Sequence, residues 1–62
     1  MVKTCISNTP SESVWFLEDN SGHVLGKAIV DNSLHIEYYS LWKRYTRQQI
    51  KAMFNSAKTS QF

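Results

Sequence analysis

The chain has 62 residues, of which 42% are hydrophobic, and a formal net charge of +2. That length accommodates one domain, and a domain this small buries only about 60% of its unfolded surface. The sole cysteine, Cys5, excludes an intramolecular disulfide, and Cys5, His23 and His35 show neither a CxxC nor an HxxxH spacing, so neither a structural metal nor a cofactor is expected. Residues 1–13 contain no continuous apolar stretch of the kind a signal peptide needs. No run approaches the ~20 apolar residues of a membrane span. The expectation is a cytoplasmic protein with no membrane partner.

Charge is distributed unevenly. Residues 1–37 carry Lys3 and Lys27 against Glu12, Glu18, Asp19, Asp31 and Glu37. Residues 38–62 carry Lys43, Arg44, Arg47, Lys51 and Lys58 and no acidic side chain. A split of this kind predicts an anionic partner for the C-terminal half.

In chain order, residues 2–7 (VKTCIS) are β-prone, with Val2, Thr4 and Ile6 on one side. Residues 8–12 (NTPSE) form a loop in which Pro10 cannot donate to a ladder. Residues 13–18 (SVWFLE) read as a strand covered on both faces, because four apolar residues follow one another. Residues 19–22 (DNSG) are a turn: Asp, Asn and Ser bond back to local backbone, and Gly22 takes a positive φ without steric cost. Residues 23–30 (HVLGKAIV) return, making a β-hairpin with a loop of four or five residues. Gly26 within that strand predicts a bulge or a close approach by the helix, the second being preferred. Asp31, Asn32 and Ser33 make another turn, and residues 34–39 (LHIEYY) a third strand. Residues 40–45 suit an extension of the strand, an early helix start with Ser40 as N-cap, or a connector, the last being preferred because Thr46 carries the better start signal.

The strongest local signal lies in residues 45–58 (YTRQQIKAMFNSAK). Thr46 and Gln49 have capping-box spacing, and Tyr45 and Ile50 that of a hydrophobic staple. Ile50, Met53, Phe54 and Ala57 share one helical face. A helix over residues 47–57 follows. It is too short to be stable alone, so its apolar face must dock on the sheet.

The fold class is therefore α+β in one small domain: a three-stranded antiparallel β-meander, with residues 2–7 available as an additional N-terminal strand, followed by one helix packed on one sheet face. Residues 1–12 and 59–62 read as loosely held ends. Alternation assigns Val14, Phe16, Val24, Ala28, Val30, Leu34, Ile36 and Tyr38 to the face under the helix. It assigns Trp15, Leu17, Leu25, Lys27, Ile29, His35, Glu37 and Tyr39 to the opposite face. The second group is too apolar for a plain solvated surface, and an exposed apolar patch marks an interface.

No catalytic constellation stands out. There is no glycine-rich phosphate loop, since Gly22 and Gly26 are the only glycines, and no nucleophile motif lies near either histidine, so an enzyme is not expected. Two binding functions remain. In the first, Lys43, Arg44, Arg47 and Lys51, with Lys58 as a further candidate, contact nucleic-acid phosphates while Trp42, Tyr45 and Tyr39 stack or pack on sugar, with the helix N-terminus adding its positive end. The order of sheet and helix resembles that of sheet-plus-helix DNA-binding modules such as the arm-binding domains of phage integrases. The resemblance lies in element order and is carried by no shared motif. In the second, Trp15, Leu17, Leu25, Ile29 and Tyr39 anchor a protein partner, as in small regulators or inhibitors of the kind phages and mobile elements encode. The same face also suits a homodimer, which would offset the small core.

Overall fold

A computed structural model describes residues 1–59 of the chain. Strands β1 (Val2–Asn8), β2 (Glu12–Glu18), β3 (Val24–Asp31), β4 (Ile36–Ser40) and β5 (Lys58–Thr59) form one sheet in the order β4-β3-β2-β1-β5. Helix α1 (Arg47–Ser56) separates β4 from β5 in the chain. The first four strands are antiparallel to their neighbours, and β5 runs parallel to β1 through Val2↔Lys58 and Lys3↔Thr59. The fold is α+β, as expected, but the sheet has five strands rather than three. Of the two readings of the N-terminal segment, the additional strand holds, beside β2, and the loose end does not. Thr59, also expected to be loose, is paired in β5, and the rest of the expected loose tail lies outside the described residues.

The two turns of the meander are built alike, from the pentapeptides Asp19-Asn20-Ser21-Gly22-His23 and Asp31-Asn32-Ser33-Leu34-His35. In each, the Asp N–H donates to the His carbonyl at 3.0 Å, and the fourth residue's N–H donates to the Asp carbonyl at 3.1 Å. The carboxylate of Asp19 accepts from Ser21 N–H at 2.8 Å and His23 N–H at 3.0 Å; that of Asp31 accepts from Ser33 and His35 N–H, both at 2.9 Å. The fourth position has positive φ in both, +86° at Gly22 and +63° at Leu34.

The helix begins where its cap signals place it. Thr46 Oγ1 accepts from Gln49 N–H at 3.2 Å, and Gln49 Oε1 accepts from Thr46 N–H at 2.8 Å. Two of the first turn's otherwise unpartnered donors are thereby satisfied. At the other end Ala57 turns to extended backbone (φ −77°, ψ 146°), and Lys58 N–H donates to the Met1 carbonyl at 3.3 Å. That change of direction delivers the chain to β1.

The core is small: Leu17, Leu25, Ala28, Ile50 and Phe54 are buried, with Trp15, Tyr38, Tyr45, Met53 and Ala57 packed around them. Which sheet residues face α1 is decided by one irregularity. Glu18 pairs with Val24 but Leu17 pairs with Gly26, which leaves Leu25 as the extra residue of a β-bulge. Side chains alternate with period two, so one inserted residue exchanges the faces of everything beyond it. Trp15 and Leu17 of β2 therefore share the helix side with Ala28 and Tyr38, through the pairs Trp15↔Ala28 and Ala28↔Tyr38. Val14 and Phe16 lie on the opposite side with Ile29, Lys27 and Tyr39. The expected faces hold for β3 from Ala28 onward and for β4, and are inverted for β2 and for Val24 and Leu25.

Gly26 combines both roles foreseen for it. It lies at the bulge, and a Cβ built there would sit 2.8 Å from Ile50 Cγ2 and 2.7 Å from the Tyr39 carbonyl oxygen. Only a bare Cα lets Ile50 descend that far onto the sheet.

Candidate functional site

The basic residues converge at the start of α1. After β4, residues 41–46 form an irregular connector in which Leu41 N–H donates to the Leu25 carbonyl at 3.0 Å, Ser40 Oγ to the Trp42 carbonyl at 2.6 Å, and Tyr45 N–H to the Trp42 carbonyl at 3.2 Å. These bonds hold the connector against the sheet and leave Lys43 and Arg44 exposed. Arg47 and Lys51 are also exposed, one turn apart on α1, and lie on one side of the helix. The first helical turn contains no acidic residue. Among the described residues no Lys or Arg lies within 4.0 Å of a carboxylate; the two close acid–base contacts are His23 with Asp19 and His35 with Glu37. Among the described residues, no cation of the connector or helix is therefore held in an ion pair.

The two aromatic residues expected beside these cations have different fates. Trp42 stays 38% exposed, with its ring 5.8 Å from that of His23. Tyr45 is half-buried and packed against the core. Part of its ring is taken up by that packing, so it presents less surface than Trp42.

The expected protein-binding face is divided by the bulge. Leu17 and Leu25 are 0% and 2% exposed beneath α1, so neither can anchor a partner. Trp15 is half-buried on the same side, where its Nε1–H donates to Ser13 Oγ at 3.2 Å. It also lines a cleft of about 250 Å³ with Val30, Tyr38 and Phe54. Ile29 and Tyr39 do lie on the helix-free side, both half-buried. Their neighbours there are Lys27, which alternation assigns to the same face, and Val14 and Phe16, which it assigns to the other.

Tyr39 links this face to the basic region. Its hydroxyl donates to Glu37 Oε2 at 2.7 Å, and that bond together with the adjacent carboxylate charge raises the Tyr39 pKa above its ordinary 10.0. Lys27 Nζ lies 5.3 Å from the ring centroid and Arg47 Cζ 5.8 Å. Arg47 starts on the helix side, whereas Tyr39 alternates with Tyr38, which meets Phe54 under the helix at 5.6 Å between centroids. The guanidinium therefore reaches around the outer edge of β4. An open groove of about 380 Å³ between that edge and α1 is lined by Ile36, Glu37 and Tyr38 on one side and by Arg47, Gln48 and Lys51 on the other.

At the β2–β3 hairpin tip, beside Trp42, the His23 N–H bond to the Asp19 carboxylate is the main reason that the Asp19 pKa lies below its ordinary 3.8. Among the described residues no three metal-ligating side chains come together, and no helix is long and apolar enough to cross a membrane. Comparison of the chain with protein-family models, with curated proteins and with solved structures gave no match.

Proposed function

We propose that the chain is a small non-enzymatic regulatory binding protein that engages nucleic acid through Lys43, Arg44, Arg47 and Lys51. The observation that carries this reading is the exposure of four cations around one helix start with no carboxylate within ion-pair distance. Such a surface attracts phosphates, and the gain comes largely from releasing condensed counterions. The exposed Trp42 beside Lys43 adds a ring for sugar or base contact.

The test is a binding titration of duplex and single-stranded oligonucleotides against the wild type and the triple variant Arg44→Ala, Arg47→Ala, Lys51→Ala. Affinity should fall steeply with salt, and the logarithmic salt slope should lessen by about two to three in the variant. Binding that ignores salt, or none at low salt, refutes the reading.

A second reading, a protein-interaction or homodimer role, is favoured by the helix-free sheet face. Val14, Phe16 and Ile29 remain half-exposed there, with no element packed over them among the described residues.

A further inference from the structure

We propose that the helix-free sheet face is a stacking platform for single-stranded nucleic acid, with Phe16 and Tyr39 as the stacking rings and Lys27 and Arg47 as phosphate contacts. The proposal rests on the nucleic-acid reading above and specifies the form bound.

The register sets Thr4, Phe16, Lys27 and Tyr39 in one row across four strands, through the pairs Thr4↔Phe16, Phe16↔Lys27 and Lys27↔Tyr39. None of the four belongs to the core cluster or packs on it, and all are partly exposed. Phe16 and Tyr39 stand two strands apart, roughly 10 Å, with the Lys27 stem between them. Arg47 closes the row at its β4 end. Read across the sheet, the order is cation, ring, cation, ring.

That alternation matches an unpaired strand, which presents a π-face and a phosphate at each nucleotide, whereas a duplex keeps its bases within its own stack. Lys27 and Arg47 rest beside the Tyr39 ring without carboxylate partners. Exposed cation–ring contacts are weaker than base stacking. A base arriving on Tyr39 therefore displaces them, and the freed cations turn to the flanking phosphates. The carboxylates on this face flank the row: Glu37, whose Oε2 accepts from the Tyr39 hydroxyl at 2.7 Å, lies with Glu12 and Asp31 on one side, and Glu18 lies on the other. They repel a phosphate chain running along the strands and favour one crossing them, from Arg47 toward Thr4. Arg47 belongs both to this row and to the basic helix start, so bound nucleic acid can continue from one to the other around the β4 edge.

The experiment is fluorescence anisotropy with a labelled oligothymidylate of about 12 nucleotides, a length suited to one small sheet, and with a duplex of mixed sequence. The proteins are the wild type, Phe16→Leu, Tyr39→Leu and Tyr39→Phe. Leucine keeps apolar volume and removes the ring, and far-UV circular dichroism checks the fold. Each leucine variant should bind oligothymidylate about 10-fold more weakly, the loss of one stacked base. Tyr39→Phe should bind it as the wild type does, and duplex binding should be the same in Phe16→Leu as in the wild type. Unchanged oligothymidylate affinity in both leucine variants overturns the proposal. So does a dimer in sedimentation that Phe16→Leu dissociates while single-strand affinity is unchanged, which would assign the face to a second copy. If the wild type binds duplex but not oligothymidylate, the platform fails and the basic surface stands; if it binds neither, both fail. Should a leucine variant unfold, the wild type still decides. Ring-proton resonances of Phe16 and Tyr39 should move upfield as oligothymidylate is added, and binding without such movement refutes the platform.

Discussion

Replacing Leu34 by glycine should make the protein more stable. The paired pentapeptide turns place Gly22 and Leu34 at corresponding positions, with the same four hydrogen bonds around each and φ of +86° and +63°. A residue with a Cβ loses about 1–2 kcal/mol in the left-handed region. Leu34 is 82% exposed and so gains little from packing in return. Glycine would relieve that strain but widen the unfolded ensemble, at a cost of about 0.5–1 kcal/mol. The net expectation for Leu34→Gly is a gain of about 0.5–1 kcal/mol, a rise in Tm of about 3–6 °C for a domain of this size. The reverse change at the other turn is the control. A Cβ at Gly22 would meet nothing within 4 Å, so Gly22→Leu probes conformation rather than crowding and should destabilise by a similar amount. Urea titrations followed by tryptophan fluorescence measure both, with unchanged m-values as the sign that only stability has moved. If Leu34→Gly is neutral or destabilising while Gly22→Leu is tolerated, left-handed strain is not what distinguishes the two turns.

Gly26→Ala should destabilise by about 1–3 kcal/mol in the same titration, because the new methyl meets the backbone carbonyl of Tyr39 as well as Ile50 and the backbone cannot yield as a side chain would. A neutral result would mean that α1 sits farther from the sheet. Thr46→Ala removes the cap acceptor for Gln49 N–H and should cost about 1 kcal/mol, with amide exchange accelerating first in the opening turn of α1. Asp19 has a folded-state pKa below 3.8. Its charged form therefore contributes stability that is fully present above the ordinary carboxylate range and is lost as pH falls through the lowered value. Thermal melts between pH 6 and pH 2 should accordingly show a smaller acid-induced loss in Asp19→Asn than in the wild type, and equal losses would remove this linkage.

The parts of the fold that depend on neighbouring residues were legible in the sequence. Thr46 and Gln49 form the capping box that their spacing implies, and Asp19 and Gly22 the turn that their chemistry implies, because those bonds close within a few residues. Gly26 was legible as a docking point because only a close approach or a bulge explains a glycine in that strand. The face of β2 was not. Residues 14–17 are apolar without interruption, so either parity buries something, and the choice fell to the bulge at Leu25. Had the strand been regular, Phe16 would face α1 and Trp15 solvent; the extra residue exchanges them. Strand β5 rests on two parallel pairs spanning nearly the whole chain, which no local pattern encodes. For the candidate site, the exposed cations were readable from composition and the packing of Tyr45 from its staple position before Ile50, while the Phe16–Lys27–Tyr39 row needed the register. The repetition of Asp-Asn-Ser-x-His was present in the sequence and would have exposed the unusual backbone at Leu34.

The path of Arg47 around β4 also bears on how the protein behaves at high concentration. An outermost strand presents unpaired main-chain groups that invite another strand to add, and proteins commonly guard such edges with charge or irregularity. Here the two sides of the sheet are guarded differently. On β1 the register breaks between Cys5 and Ser7, and β5 covers the first two residues. On β4 the guard is one guanidinium, held beside Tyr39 by a contact that is weak when exposed. A strand approaching that edge must displace and desolvate a positive charge, so the residue proposed to contact phosphate also discourages aggregation. Neutralising Arg47 should therefore lower solubility along with affinity, and the two effects separate in Arg47→Lys, which keeps the charge at the edge but forfeits the planar stack.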